Sequence, residues 1–359
     1  MGIFLGRLRA PVIAPGDRSP VPRLRRLRGG AVGAGTPRTW VLASGSGGVG
    51  RSTLAVTLGA RLVRRGKTAC LVDGDWTGPT LGTLLDVSTA RGAWSGGEEL
   101  VPLGTRVHDE LQLVPGPGPM SADPTRRDAA RLVQNVRRLG HDEVLVDLPA
   151  GAHDVALDVW LAADLPLLVT VPERLPLEAT ARLLGRVFAR LARPWLARRL
   201  GVARADEVLS EAWTESGGRT GTWMRTTARV AGLPAGELAS HIGARPLYLI
   251  MNRVRRGDDI DVGHALVTAA GHGLGIDLRF RAALPWDDDA WIRARRRTVP
   301  ALAGAGDVLG NELDETLQRM DDGVDLPTRG GWRADLSALA ELAQEATGSG
   351  GPVGGKPWR

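Results

Sequence analysis

Gly45-Ser46-Gly47-Gly48-Val49-Gly50-Arg51-Ser52-Thr53 stands directly after an apolar run, Thr39-Trp-Val-Leu-Ala-Ser44, and leads straight into Thr53 to Arg65, a stretch with helical apolar spacing. The spacing is GxxxxG, then a basic residue, then a hydroxyl residue, in the context strand, glycine loop, helix. Glycines in such a turn let the backbone curl until several N–H groups point at one anion, and the N-terminus of the following helix adds its positive end. The pattern predicts a phosphate cradle at Gly45 to Thr53, with the Ser52 hydroxyl placed for a magnesium ion.

Outward from the loop, the alternation of strand, turn and helix continues. Short apolar runs at Thr68 to Asp73, Leu111 to Val114, Glu143 to Asp147, Pro166 to Val171, Pro246 to Met251 and Leu278 to Leu284 read as strands. Continuous apolar runs between helical segments belong to strands covered on both faces. The expected fold is therefore α/β, a three-layer, doubly wound, mostly parallel sheet of the P-loop type. Between about 177 and 245 no strand pattern occurs. Instead Leu177, Leu184, Phe188, Leu191 and Trp195 recur at helical spacing beside Arg182, Arg186, Arg190 and Arg193. This predicts a helical insertion whose basic amphipathic helix ends or kinks near Pro194. Its arginine face serves either packing on the sheet or a partner or membrane.

The 359 residues, 43% hydrophobic, suffice for one large core with additional segments at the ends. Residues 1–38 hold eight arginines against one acid, Asp17, and are read as a flexible basic arm. The nucleotide-binding domain is expected at 39–325, and 326–359 as a short helix, Trp332 to Ala346, with a disordered glycine-rich end. The net charge of +6 invites a polyanionic partner, yet among 46 basic residues only Lys67 and Lys356 are lysines. Such a bias points to base composition rather than to a binding face. The basic residues also lack aromatic interleaving, so nucleic acid is not an expected partner. Cys70, the one cysteine, allows no internal disulfide and no CxxC site, and it sits in a strand-like run as a small core residue. No run approaches the roughly 18 apolar residues of a spanning helix, and no signal peptide pattern opens the chain, which predicts a cytoplasmic location. The first residues, Met1 to Arg9, hold enough apolar side chains for a peripheral membrane contact.

The loop resembles the signature GKGGVGK[ST] of the deviant Walker A family that includes MinD, ParA and FlhG, and the chain looks closest to FlhG-like and MinD-like members. The resemblance extends over about Thr39 to Leu302. Leu71-Val-Asp73-Gly-Asp75 is similar to the family's DxD segment, which implies that Asp75 orients the attacking water and Asp73 supports the magnesium shell. Glu143-Val-Leu-Val-Asp147-Leu-Pro-Ala-Gly151 resembles its Walker B strand and switch II. That implies Asp147 as a magnesium ligand through water and Gly151 as a backbone donor to the γ-phosphate. Leu249-Ile-Met-Asn252-Arg253 looks like the base-recognition strand, with Asn252 on the adenine edge, and Leu284-Pro285-Trp-Asp-Asp288 resembles the loop that closes over the base. Trp291 to Pro300 resembles the helix that follows it.

Two signature lysines are replaced. Arg51 stands where the family has its Walker lysine, and Ser46 where it has the lysine that reaches the partner subunit's phosphates. A planar guanidinium does not reproduce a compact ammonium that follows the γ-phosphate, so hydrolysis is expected to suffer even if Arg51 retains a catalytic role. The resemblance implies an ATP- and magnesium-binding switch that forms a nucleotide-dependent homodimer, touches the inner membrane face, and places division sites, flagella or cargo under an unidentified protein regulator. A different class fits the same residues, namely a scaffold that retains the fold without turnover. The Gly78-Pro-Thr80 segment is similar to switch I of Mrp-like iron-sulfur carriers, but Cys70 alone provides no cluster.

Overall fold

Eight strands carry the architecture of the computed structural model, which describes residues 36–87, 105–108, 110–116, 124–287 and 308–327. They are β1 (Arg38–Ala43), β2 (Ala69–Asp73), β3 (Thr105–His108), β4 (Leu111–Val114), β5 (Glu143–Asp147), β6 (Leu165–Thr170), β7 (Leu247–Val254) and β8 (Leu278–Pro285). One sheet joins them in the order β3-β4-β2-β5-β1-β6-β7-β8. Every pairing is parallel except β3 with β4. Most of the arm at 1–38, Asp288, Trp291 to Pro300 and the helix expected at Trp332 to Ala346 lie outside the described residues.

The alternation of side chains along a strand divides the core in two. On β1, Trp40 and Leu42 join Leu58, Leu71, Leu145, Leu313 and Leu317 on one face, while Val41 and Ala43 join Val72, Val146, Trp160 and Phe188 on the other. The first face is covered by α1 (Arg51–Arg64) and α10 (Val308–Asp322). The second is covered by α3 (Arg126–Val136), α4 (Asp154–Leu161), α9 (Gly257–Leu274) and the helices between β6 and β7. Both faces are therefore apolar, which is why the central strands read as unbroken hydrophobic runs rather than as alternations. A short helix, α2 (Leu81–Leu84), follows β2. The edge strand β3, Thr-Arg-Val-His, carries one apolar residue and has a single neighbour, so no apolar run announced it.

The segment between β6 and β7 is helical, as its pattern predicts: α5 (Arg174–Leu200), α6 (Val202–Glu215), α7 (Trp223–Ala231) and α8 (Ala235–Ile242). The helix does not end at Pro194, because α5 runs from Arg174 to Leu200, 27 residues with Pro194 inside it. Buried Trp195 and Leu196 hold the last turns in the core, which outweighs one missing backbone hydrogen bond. Three of the four arginines named on α5 pair with carboxylates of neighbouring helices, while Arg182 is 70% exposed. Arg186 Nη2 donates to Asp154 Oδ1 at 2.8 Å, Arg190 pairs with Asp158, and Arg193 Nε donates to Asp206 Oδ1 at 2.6 Å. Packing, not an open cationic face, accounts for these three residues. Among the described residues, no helix is long and apolar enough to cross a membrane.

Parallel order brings the C-terminal ends of β1, β2 and β5 to one edge of the sheet. In register, Asp73 lies opposite Asp147, and Leu42 lies beside Asp147 on the other side. Open α/β sheets bind ligands at this edge.

Candidate functional site

The chain leaves β1 at Ala43, runs through Ser44 and the glycine loop, and re-enters regular structure as α1 at Arg51. Two glycines are required by the surroundings. A Cβ at Gly45 would lie 2.4 Å from the carbonyl carbon of Ala179 on α5, and Gly50 caps α1 at φ 87° with a would-be Cβ 2.5 Å from Asn252 Nδ2. Gly47 and Gly48 face open space, with no atom within 4 Å of a would-be Cβ. Val49 is buried, Thr53 lies in the first turn of α1, and Ser46 is half-buried, its Oγ without a hydrogen-bond partner among the described residues.

Arg51 points into the strand ends. Its Nε donates to Asp147 Oδ1, its Nη1 to Ser44 Oγ at 3.0 Å, and its Nη2 to Asp75 Oδ2 at 3.2 Å. The side chain is 8% exposed, that of Asp75 12% and that of Asp147 0%. Asp75 also accepts, at Oδ1, from Thr77 N (2.9 Å), Thr77 Oγ1 (2.6 Å) and Gly78 N (3.1 Å). Asp73 accepts from Leu81 N at 2.9 Å and from Asp75 N at 3.3 Å. Burial, with the neighbouring charges of Asp147 and Asp75 added, pushes the Asp73 carboxyl up to about 7, against the Leu81 and Asp75 amides that hold it down. Burial also raises Asp147, opposed by Arg51 and by a hydrogen bond from the Ser52 hydroxyl. Asp147 Oδ2 is buried and has no partner among the described residues.

The expected site residues thus converge, but several are already engaged. The Gly151 N–H, expected on a γ-phosphate, donates to Ser44 O at 2.9 Å. The Asn252 amide, expected on the adenine edge, donates from Nδ2 to Val49 O at 2.8 Å and accepts at Oδ1 from Arg253 N at 2.9 Å, so it pins the loop to β7. Pro285 ends β8 in register with Val254, and the Trp286 ring that follows is flanked by the guanidinium groups of Arg255 at 4.3 Å and Arg253 at 5.6 Å. Ser44 and Ala179 were not singled out from the sequence. The hydroxyl before the loop was a usable signal for Ser44, whereas Ala179 meets the loop only through the path of α5.

Magnesium takes oxygen ligands in near-octahedral array at about 2.0–2.1 Å. Here the Ser52 side chain helps hold the Asp147 pKa down, and a guanidinium lies against that same carboxylate and Asp75. Among the described residues no group of three or more His, Cys, Asp or Glu side chains is arranged to hold a metal ion. A magnesium ion on Ser52, Asp73 and Asp147 would share the Asp147 carboxylate with the Arg51 guanidinium, a fixed cation that opposes it.

A parallel sheet with a glycine cradle between its central strand and the next helix, and acidic residues at the adjoining strand ends, defines a P-loop NTPase domain. The ParA family of P-loop NTPases, described as NUBPL iron-transfer P-loop NTPase, matches residues 36–194. The chain is 29% identical to a putative septum site-determining protein MinD of Oltmannsiellopsis viridis over 159 residues, which are 42% of this chain and 50% of that protein. It is 30% identical to an iron-sulfur cluster carrier protein of Deinococcus radiodurans over 155 residues, 41% and 44% of the two chains. These alignments span about half the length of each relative. Among solved structures, the MinD cell division protein of Aquifex aeolicus superposes with a TM-score of 0.50 at 17% identity, covering 81% of this chain and 99% of that one. A putative plasmid partition protein of Borrelia burgdorferi B31, solved with AMPPNP, also gives 0.50, at 13% identity and with 80% and 100% covered. Residues 36–194 are thus similar to the MinD/ParA family of P-loop NTPases, and the described sheet shares the fold of its solved members.

Proposed function

We propose that this chain is a nucleotide-responsive switch whose loop at Gly45 to Thr53 takes the phosphates of ATP. The observation that carries the reading is the cradle itself, in which Gly45 and Gly50 are wedged in place while Gly47 and Gly48 face open space at the mouth of α1. Phosphate arriving there competes for the Gly151 amide, now held by Ser44, and for the segments after β2 and β5. Rearrangement of those segments alters the face offered to a second copy, and ATP favours a homodimer. The molecule works in the cytoplasm, with a peripheral contact to the inner membrane face, and its output is the placement of another component.

One observation favours binding without turnover. Asp75, the residue expected to orient water, already accepts from Arg51, from Thr77 twice and from Gly78, and no lysine stands at position 46. The test is titration of the full chain with a fluorescent ATP analogue, followed by light scattering with and without ATP and an assay of phosphate release. Binding with an ATP-induced rise in mass supports the switch; release of phosphate distinguishes the ATPase from the scaffold. Absence of binding under all conditions removes the nucleotide reading. Pelleting with anionic vesicles, with and without residues 1–38, tests the membrane contact.

A further inference from the structure

Arg51 engages acceptors on three separate segments: Asp147 at the end of β5, Ser44 after β1 and Asp75 after β2. A planar fork with donors spread over it makes such a set of contacts, and an ammonium on a shorter reach does not. The fork is buried, and Asp147 is wholly so. The Ser52 side chain acts on the same Asp147 carboxylate, holding its pKa down. The guanidinium therefore lies where hydroxyl and carboxylate oxygens from the loop and two strand ends converge. A divalent ion placed on Asp147 there would confront a fixed positive charge that does not deprotonate.

We propose that the Arg51 guanidinium is a resident cation that takes the divalent ion's place, so that the loop accepts a nucleotide polyphosphate without magnesium. The second half of this inference rests on the nucleotide reading above; the first half does not. Asp147 and Asp75 share the single positive charge of Arg51, and removal of the guanidinium leaves them as an uncompensated, negatively charged pair able to attract a divalent ion.

Two measurements on the full chain test it. In the first, a fluorescent ATP analogue is titrated into the native protein and into Arg51→Lys, each with excess magnesium chloride or with EDTA. The native affinity is expected to change by less than about threefold, while EDTA weakens binding to Arg51→Lys by about tenfold or more. A tenfold loss for the native protein in EDTA overturns the proposal. In the second, melting is followed without nucleotide in magnesium chloride and in sodium chloride of matched ionic strength. Magnesium is expected to raise the melting temperature of Arg51→Gln, or of Arg51→Lys if the former does not fold, by several degrees and to leave the native protein unmoved. An equal rise in native and variant proteins overturns it. If the native protein binds no nucleotide in either buffer while magnesium stabilises only the variants, the resident cation stands and the nucleotide reading falls.

Discussion

At the scale of single residues, the side chains that matter are held by what surrounds them, and this is where the sequence is least informative. Glycine spacing located the cradle and the strand-end positions located Asp73 and Asp147, because both depend on local backbone pattern. That Arg51 turns back onto Ser44, Asp75 and Asp147, and that Asn252 bonds Val49 instead of standing open, depends on contacts across 7 to 203 positions of chain. No local pattern encodes those. Cys70 was legible as core, and its chemistry follows. Burial in β2 pushes its thiol up to about 12, so almost no thiolate exists at neutral pH. We expect the native protein to resist a thiol-disulfide reagent and to release one equivalent of thiol only in denaturant; rapid labelling without denaturant would show that the centre of the sheet opens. Glu143 makes a second case. Its carboxylate accepts from the buried Trp40 indole at 2.6 Å, yet burial raises its pKa despite that bond and the charges of Arg38 and Lys67. An acid whose folded pKa is raised contributes stability below its unfolded value and loses that contribution as pH rises through the folded value. Glu143→Gln keeps an acceptor for the indole and removes the buried charge. Its melting temperature is expected to exceed the native one near about pH 7, with the gain shrinking toward about pH 5. A gain independent of pH would show that charge is not the cause.

At the scale of elements, seven of the eight strands were legible as apolar runs, the edge strand β8 among them, whereas β3, Thr-Arg-Val-His, holds a single apolar residue. The continuation of α5 through Pro194 was decided by burial of the residues after it, a tertiary effect that overrides a local breaker. Helix α3 shows the opposite case, in which the local signal is sufficient. Thr125 accepts at Oγ1 from Asp128 N, and the Asp128 carboxylate accepts from Thr125 N at 2.8 Å, so the two residues satisfy each other's free amides. Thr125→Ala removes one half of this box. The expected cost is about 1 kcal/mol in chemical denaturation, with an unchanged dependence on denaturant concentration. An effect near zero would mean that packing of Leu132 and Val136 alone sets the start of α3.

At the scale of the molecule, the glycine loop and α10 are coupled through one core. Leu313 and Leu317 of α10 share the cluster under α1 with Leu54, Leu58 and Leu284, and the helix is tied down by polar contacts as well. Arg61 Nη1 donates to Asp314 Oδ2 at 3.2 Å, Arg65 Nη2 to the Asp314 carbonyl at 2.6 Å, and Arg38 Nη1 to Asp321 Oδ1 at 2.6 Å. The exposed Arg38–Asp321 ion pair contributes little, on the order of a few tenths of a kcal/mol, and the leucines should dominate. Leu317 is 1% exposed. Leu317→Ala is expected to cost about 2–5 kcal/mol, the range for a leucine truncated in a closed core. Because α1 rests on the same cluster and begins at Arg51, loss of α10 packing should not leave a folded phosphate loop behind. Tryptophan fluorescence and far-ultraviolet circular dichroism of the variant should therefore give coincident unfolding curves, and binding of a fluorescent ATP analogue, if the native chain binds it, should vanish along the same curve. An early fluorescence transition with helix content and nucleotide binding retained would mean that α10 detaches alone. The cradle would then depend on α1, α5 and the sheet without it.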